Sequence, residues 1–317
     1  MSAHAGTIAV IGEALIDVVE TGDDEPRLAR PGGSPYNVAL GLARLEAPAR
    51  FVGRLSGDPL GAILRRHAER SRVDLSLSVD VREPSTVALV ELDDTGAAQY
   101  RFGIEGTADF RWTADELARV PEDVLAVHFG SLASWLPPGD AAIAARVAEL
   151  RAAGVTVTYD PNVRPHLQPD GAAARAHIES VLPLADVVKT SEEDLAHLRP
   201  GETAEQVARD WLTLGPQAVV VTRGGDGSLA VTAAGTVTRP PRPITVVDTV
   251  GAGDAFMSGL LDALHRSGRL ARADLAGADW GDVLDAAALV AALTCARAGA
   301  NPPRRADLEQ ARASLRA

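Results

Sequence analysis

The stretch DTVGAGDAFMSGLL, residues 248–261, places two glycines and an alanine directly before an apolar helix pattern. These small residues therefore stand at a helix N-terminus, where backbone N–H groups lack partners and the helix dipole is positive. Such a position binds anions, yet Asp254 adds a negative charge to it. Two interpretations remain open: Asp254 is a favourable first-turn charge for its helix, or it acts chemically beside a bound phosphate.

The composition is typical of a globular protein, with 317 residues, of which 46% are hydrophobic and 23% charged. A net charge of −12 argues against a general binder of nucleic acid or of anionic membranes, which need clustered basic side chains. Cys295 is the sole cysteine, which fits a reducing compartment. No segment approaches the roughly 20 apolar residues of a membrane span, and no secretory signal pattern is present. We therefore expect a cytoplasmic protein that binds neither nucleic acid nor membrane.

Strand and helix patterns alternate over most of the chain. Residues 7–12, 124–130, 155–160, 185–190 and 217–224 are short, mostly apolar runs, as in strands buried on both faces. Helical patterns separate most of them. This alternation predicts an α/β fold with a parallel sheet that helices cover on both faces.

Two segments, at about 13–34 and 84–110, do not fit that alternation. The second reads as a hairpin around a DDTG turn at residues 93–96. We expect the two segments to form a small β-sheet lid on a single domain that spans residues 1–317. Residues 49–56 are interpreted as one further strand.

A second glycine turn, PGGSPYNVA at residues 31–39, also leads into a helix pattern. Adjacent glycines let the backbone approach a ligand, and Asn37 offers a donor and acceptors for sugar hydroxyls. Phosphoryl transfer to a sugar needs these features together with a general base, the role that Asp254 would take. The alternative is a plain turn between a loop and a helix.

The pair PGGSPYNVA and DTVGAGDAF resembles the two signatures of the PfkB, or ribokinase-like, family of carbohydrate kinases. Four further segments resemble the family in the same order: GRLSGDPLG at 53–61, YDPNVR at 159–164, VTRGGDGS at 221–228 and ARAGANPP at 296–303. The resemblance implies a doubly wound α/β fold with a small β-sheet lid. It also implies ATP-dependent phosphoryl transfer to a sugar hydroxyl.

The resemblance also assigns roles to individual residues. It makes Asp254 the base, and it assigns the anion hole to Gly251, Ala252 and Gly253. The residues that it places at the sugar are Asp17, Gly32, Gly33, Asn37 and Arg164. Those that it places at the nucleotide are Thr222, Gly224, Gly225, Gly227 and Asn301. Other interpretations stay open for some of them. Asp17 could be an exposed charge on a strand, Arg164 a surface arginine, and residues 222–227 an ordinary turn.

One segment departs from the family pattern. Ser191 stands where the family usually has Asn, and Asp194 where it usually has Glu. Glu193 and Asp194 are the candidates for supporting Mg²⁺ through water, and the alternative is a helix start with acidic first-turn residues after a Ser cap. The resemblance further implies a monovalent cation such as K⁺ near Asp248, Val250 and Gly299.

The sequence lacks the motifs of two other enzyme classes. A nicotinamide-dependent oxidoreductase needs G-x-G-x-x-G after its first strand, but here the strand runs into GEALID at residues 12–17. A P-loop kinase needs GxxxxGK[ST], which is absent. A sugar-binding protein that has lost catalysis would lack the base, yet Asp254 is present.

Fructose is the expected substrate, because GGSPYNVA, DPNVR and TADF at residues 107–110 resemble fructokinases most. The alternative is 2-keto-3-deoxygluconate, whose carboxylate Arg164 could bind. The open edges of the lid could pair between subunits, so a homodimer through the lid is a further expectation.

Overall fold

Strands and helices alternate along the described chain. The structure is a computed structural model that describes residues 6–19, 28–92 and 98–314. Its strands are β1 (Ile8–Ile11), β2 (Leu15–Val19), β3 (Leu28–Gly32), β4 (Ala49–Val52), β5 (Arg54–Ser56), β6 (Val79–Val81), β7 (Val87–Leu92), β8 (Ala98–Gly103), β9 (Ala126–Gly130), β10 (Thr156–Asp160), β11 (Val187–Ser191), β12 (Ala218–Thr222), β13 (Ser228–Thr232) and β14 (Gly235–Arg239). Its α-helices are α1 (Ser34–Arg44), α2 (Pro59–Arg70), α3 (Ala114–Leu117), α4 (Asp140–Ala152), α5 (Gly171–Val181), α6 (Glu192–Leu198), α7 (Ala204–Leu212), α8 (Ala252–Arg266), α9 (Trp280–Cys295) and α10 (Arg305–Ser314). Each of these helices is too short or too polar to span a bilayer.

The largest sheet has eight strands in the order β14-β13-β12-β11-β10-β9-β1-β4. The strands from β12 to β4 pair in parallel, whereas β13 and β14 extend the sheet in antiparallel fashion. β1 and β9 are buried along their whole length, which explains their mostly apolar sequences. β4, the next strand of this sheet along the chain, lies on one side of β1, and the later strands β9 to β12 lie on its other side. This reversal creates a switch point beside β1, where ligands of such folds bind.

Helices cover both faces of this sheet. On one face, Val147 of α4 and Trp211 of α7 are fully buried against the strands. On the other face, Leu40 of α1, Leu260 of α8 and Leu284 of α9 are fully buried. The predicted doubly wound α/β fold with a mostly parallel sheet is therefore confirmed.

A second, four-stranded sheet has the order β3-β2-β7-β8. β2 pairs in parallel with β7, and the two outer pairs are antiparallel. Its strands fall within the segments at 13–34 and 84–110 that were predicted to form the lid. The predicted DDTG turn at 93–96 and residues 20–27 of the first lid segment lie outside the described residues.

The single strand predicted at residues 49–56 is divided at Gly53. β4 joins the large sheet, whereas β5 pairs with β6 in a separate two-stranded sheet. A Cβ atom on Gly53 would lie 2.1 Å from the Phe51 ring, and the N–H of Gly53 donates to Oγ of Ser78 at 3.2 Å. The sequence pattern did not show this change of sheet, because it depends on a partner segment about 25 residues away.

Candidate active site

The candidate site lies where the parallel strands end. Because these strands share one direction, the residues at their carboxyl ends meet at the same edge of the sheet. Glu13 follows β1, Asp160 ends β10, Lys189 lies near the end of β11 and Thr222 ends β12. The N-termini of α1 and α8 reach the same edge, as the contacts of Asp254 show.

Asp254 lies in the first turn of α8 and is buried, with 7% of its surface exposed. Gly251, the residue before the helix, has φ of 76°, in the left-handed region that favours glycine. A Cβ atom there would also lie 2.7 Å from Cβ of Ala300. Ala252 donates its N–H to the Thr249 carbonyl at 3.1 Å. The first-turn N–H groups of Gly253 and Asp254 are therefore the ones that helix geometry leaves for an anion.

Two side chains of α1 hold the carboxylate of Asp254. Oγ of Ser34 donates to Oδ1 at 2.7 Å, and Nδ2 of Asn37 donates to Oδ2 at 2.8 Å. α1 takes this position because Gly33, the residue before it, has φ of 103°, and the Glu13 carbonyl would lie only 2.5 Å from a Cβ on Gly33. The two predicted glycine turns therefore meet at Asp254.

Asp17 and Arg164, both predicted to bind the sugar, lie close enough for their charges to interact, and the charge of Asp254 also acts on Asp17. Burial raises the pKa of Asp17 to about 6, Arg164 and Arg30 oppose that rise, and the charge of Asp254 adds to it. A Cβ on Gly32 would lie 2.2 Å from Oδ2 of Asp17, so the glycine makes room for this carboxylate. The structure thus brings together the predicted sugar-site residues around Asp254.

Two buried carboxyls beside this group were not singled out from the sequence. Glu13 accepts the N–H of Ala133 at 3.1 Å, and Asp109 accepts the N–H of Ala14 at 2.9 Å. Burial raises the pKa of both groups, that of Asp109 to about 7, and the charge of Glu13 adds to the rise at Asp109. The signal was present in part, because Asp109 lies in the quoted TADF segment.

An ion pair under α8 was also missed. Nζ of Lys189 donates to Oδ2 of Asp160 at 2.9 Å, and both side chains are almost fully buried. Burial disfavours the charged ammonium, but the nearby carboxylates, Asp160 first and then Asp194 and Asp254, together outweigh this effect and raise the pKa of Lys189. The available signal was a lysine within the strand pattern ADVVKT at residues 185–190.

The predicted nucleotide turn follows β12. Oγ1 of Thr222 donates to the Thr190 carbonyl at 3.3 Å, which places this turn beside the end of β11. Gly224 has φ of 50°, and Cβ atoms on Gly224 or Gly225 would meet nothing within 4 Å. A Cβ on Gly227 would lie 2.1 Å from the Arg239 carbonyl. The first two glycines therefore face open space that a ligand could fill, whereas Gly227 is required by its own turn.

Asn301, predicted to lie near the adenine, follows the last turn of the α9 segment. Its Oδ1 accepts a hydrogen bond of 2.5 Å from Nη1 of Arg44, which also donates to the Pro302 carbonyl at 2.7 Å. Asn301 thereby ties the C-terminal segment to the end of α1.

The three residues predicted near a monovalent cation form one unit. Oδ1 of Asp248 accepts the N–H of Val250 at 3.0 Å, and Oδ2 accepts the N–H of Gly299 at 2.7 Å. The carboxylate thus closes the loop before α8 onto the loop after α9. Backbone carbonyl oxygens of such loops are suitable ligands for a hard cation.

The two predicted metal-supporting carboxylates differ in their surroundings. Asp194 accepts hydrogen bonds from the N–H groups of Val163 and Ser191 at 3.0 and 3.1 Å, and from Oγ1 of Thr190 at 3.2 Å. It forms a capping box with Ser191, as the alternative interpretation held. Glu193 is exposed. Among the described residues no group of three or more His, Cys, Asp or Glu side chains could enclose a metal ion.

Comparison with known sequences assigns the chain to a family. Residues 5–307 match the profile of the pfkB family of carbohydrate kinases. The chain belongs to this family. It is 35% identical over 262 residues to the fructokinase of Salmonella typhimurium, a match that covers 82% of this chain and 84% of that relative. A pfkB carbohydrate kinase transfers a phosphoryl group to a sugar hydroxyl, so the chain is a phosphotransferase, and the resemblance is confirmed.

Solved structures of pfkB kinases share the fold. The fructokinase of Xylella fastidiosa with bound ATP superimposes with a TM-score of 0.84, is 27% identical and covers 97% of this chain and 99% of its own. The fructokinase of Vibrio cholerae O395 with fructose, ADP and calcium ion gives a TM-score of 0.81 at 27% identity, with the same coverage of 97% and 99%. A double mutant of the Vibrio cholerae enzyme has been solved with fructose, ADP and potassium ion, at a TM-score of 0.84 and 27% identity, covering 98% of this chain and 99% of its own.

Proposed function

We propose that this pfkB kinase is an ATP-dependent fructokinase. The observation that carries the proposal is the buried carboxylate of Asp254, which Ser34 and Asn37 orient at the N-terminus of α8. The similarity to fructokinases of known sequence and structure supports fructose as the acceptor.

The geometry supports a direct transfer to a sugar hydroxyl. Asp254 accepts the proton of the attacking hydroxyl, since both of its oxygens are already held in place by neutral donors. The free N–H groups of Gly253 and Asp254, with the positive end of the α8 dipole, stabilise the charge of the transferring phosphoryl group. Asp17 and Oδ1 of Asn37, which has no partner in the described part of the chain, accept hydrogen bonds from sugar hydroxyls and so fix the acceptor.

The nucleotide and its ions fit the remaining residues. Gly224 and Gly225 leave open space for the nucleotide, and Gly227 and Asn301 shape the loops beside it. A divalent cation, which we propose to be Mg²⁺, neutralises phosphate charge when bound. Since Asp194 is occupied by its capping bonds, we propose that the exposed Glu193 supports this ion through water.

We also propose a K⁺ site at the loops that Asp248 closes. Its carboxylate fixes Val250 and Gly299 beside the N-terminus of α8, so a cation there would order the loop that leads into the anion hole. The potassium-bound Vibrio cholerae enzyme supports this proposal.

The organisation of the whole chain completes the proposal. We propose one cytoplasmic domain over residues 1–317, in which the β3-β2-β7-β8 sheet is a lid that excludes water from the transfer. Its two edge strands, β3 and β8, could pair with those of a second copy in a homodimer. The molar mass in solution by light scattering tests the dimer.

One experiment tests the activity and the substrate. The purified protein is incubated with ATP and Mg²⁺ and with fructose, 2-keto-3-deoxygluconate, ribose or adenosine, and ADP release is measured. We expect the highest kcat/KM for fructose, and a loss in kcat of about 1,000-fold in Asp254→Asn. Asp282→Asn, an exposed first-turn acid of α9, is the matched control and should be unchanged.

Each alternative has its own outcome in this assay. Preference for 2-keto-3-deoxygluconate would identify a 2-keto-3-deoxygluconate kinase, in which Arg164 pairs with the substrate carboxylate. Binding of fructose in calorimetry without ADP release would identify a sugar-binding protein without catalysis. A folded protein that binds ATP but turns over no sugar contradicts the kinase proposal.

A further inference from the structure

Lys189 is the only lysine of the chain, and it is buried at the candidate active site. It is 4% exposed, and its partner Asp160 is 1% exposed. Removing two charges from water is unfavourable, and an apolar pair of similar size often stabilises a fold as well or better. Stability therefore does not account for a lysine at this position.

The ammonium of Lys189 lies directly against the anion hole. A Cβ atom on Gly253 would lie 3.0 Å from its Nζ, and it would meet no other described atom within 4 Å apart from its chain neighbours and the nearby backbone of α8. Gly253 provides one of the free N–H groups at the N-terminus of α8. The positive charge of Lys189 therefore adds to the positive end of the α8 dipole at the place where a phosphoryl group would bind.

The carboxylates that raise the pKa of Lys189 come from elements of the site. Asp160 lies on β10, Asp194 on α6 and Asp254 on α8, and all three interact with its charge. His128 on β9 is the fourth neighbour. Burial and then the charge of Lys189 lower the pKa of His128 to about 3, so this imidazole is neutral. Lys189 is thus the one cation among three carboxylates in this part of the described structure.

We propose that Lys189 is a positioning residue of the transfer: it keeps the α8 N-terminus positive and offsets the carboxylates beneath it, so that the transferring phosphoryl group is held next to Asp254. This inference rests on the proposed function. Asp160 orients the ammonium from below, and its other oxygen is fixed by the N–H of Asn162 at 3.1 Å.

The test separates a structural ion pair from a contribution to catalysis. Lys189→Met alone leaves Asp160 buried without a partner and could fail to fold. The double variant Lys189→Met with Asp160→Asn removes both charges and keeps the amide oxygen that accepts from Asn162. We expect the double variant to melt near the wild-type temperature, to show a kcat for fructose about 100-fold lower, and to keep its KM within about threefold.

The split between kcat and KM is the readout that a structural role would not produce. The ammonium lies where the phosphoryl group would bind, so its loss should lower kcat and leave the KM for fructose nearly unchanged. Arg305→Met is the matched control, because Arg305 is a buried cation that pairs with Asp262 on the same helix, α8. It should lower the melting temperature and leave kcat unchanged.

The outcomes are distinct. A double variant that regains both the melting temperature and the kcat of the wild type would overturn this inference and leave the proposed function intact. A double variant that loses kcat and also raises the KM for fructose by more than about tenfold would also overturn it, since the pair would then shape the sugar site rather than the transfer. A wild-type protein without sugar-dependent turnover would overturn the inference together with the proposed function.

Discussion

The side-chain amide of Asn37 donates a hydrogen bond of 2.8 Å to Oδ2 of Asp254, although 217 positions separate the two residues. The bond joins the entry of α1 to the entry of α8. Oδ1 of the same amide is buried and has no partner among the described residues. Asn37 therefore holds Asp254, the proposed base, with one end, and we propose that its other end accepts a hydrogen bond from the acceptor sugar.

Substitution of Asn37 should affect both binding and turnover. We expect Asn37→Ala to lower kcat/KM for fructose by about 100-fold, because it removes one donor from Asp254 and one acceptor from the sugar. Ser34→Ala is the matched comparison, because Ser34 holds the other oxygen of Asp254. It should lower kcat with little change in KM. Steady-state kinetics with fructose measure both, and equal KM changes in the two variants would argue against a sugar contact by Asn37.

The glycines of the two turns should differ in what they tolerate. Gly251→Ala forces a side chain into a left-handed conformation and against Ala300. We expect a loss of about 1–3 kcal/mol in the free energy of unfolding and a lower kcat. Gly225→Ala projects a methyl group into open space, so the free energy of unfolding should change by less than about 0.5 kcal/mol.

Gly225→Ala also tests the nucleotide turn. If the space above it holds the nucleotide, the KM for ATP should rise while the KM for fructose stays constant. Urea unfolding and kinetics on both variants supply the measurements. A KM for ATP equal to that of the wild type would remove Gly225 from the nucleotide site.

Substitutions in the acidic first turn of α6 can distinguish helix capping from binding of the metal ion. Asp194→Asn replaces an acceptor of three hydrogen bonds, so we expect the free energy of unfolding to fall by about 1–3 kcal/mol. Glu193→Gln changes an exposed side chain and should leave stability unchanged. Titration with Mg²⁺ at fixed ATP should show that Glu193→Gln needs more Mg²⁺ for half-maximal activity. An unchanged titration would exclude Glu193 as a support for the ion.

The fold could be predicted because its signals are local. Apolar runs such as residues 7–12 and the helical segments between them specify parallel strands with helices on both faces, although the order of the strands does not follow from that alternation. The two glycine turns, at 31–39 and 248–261, are also local patterns. They identified the residues that meet at Asp254.

The contacts of buried charges could not be predicted in the same way. Lys189 and Asp160 lie on neighbouring strands, and only the register of β10 against β11 shows that their side chains meet. Asp109 reaches the N–H of Ala14 across 95 positions. The division of the strand at Gly53 depends likewise on a distant segment. Such pairs leave no periodic pattern in the sequence, since each needs only one polar residue in an apolar or irregular stretch.

We expect the protonation of Asp17 to link pH to sugar binding. Burial raises its pKa to about 6, whereas an aspartate in the unfolded chain titrates near 3.9. Arg164 and Arg30 favour its ionised form, and Asp254 disfavours it. Ionised Asp17 is an acceptor only, which suits two sugar hydroxyls, whereas the protonated group carries a donor of its own.

Asp17→Asn should therefore weaken the pH dependence of the KM for fructose and of the free energy of unfolding. Between pH 4 and pH 6 the folded protein holds the proton on Asp17 more tightly than the unfolded chain does, so this group stabilises the fold at low pH and the contribution is lost as the pH rises through about 6. In the wild type the KM for fructose should fall over the same rise, as Asp17 ionises. We expect the variant to show a KM that is higher by about tenfold at pH 7 and nearly independent of pH, and an unfolding free energy that falls by about 1–2 kcal/mol less between pH 4 and pH 7. Urea titrations measure the free energy of unfolding at each pH, and steady-state kinetics measure the KM for fructose. The exposed Asp282→Asn is the control. A variant whose KM keeps the wild-type pH profile would show that another group, such as Asp109, controls sugar binding.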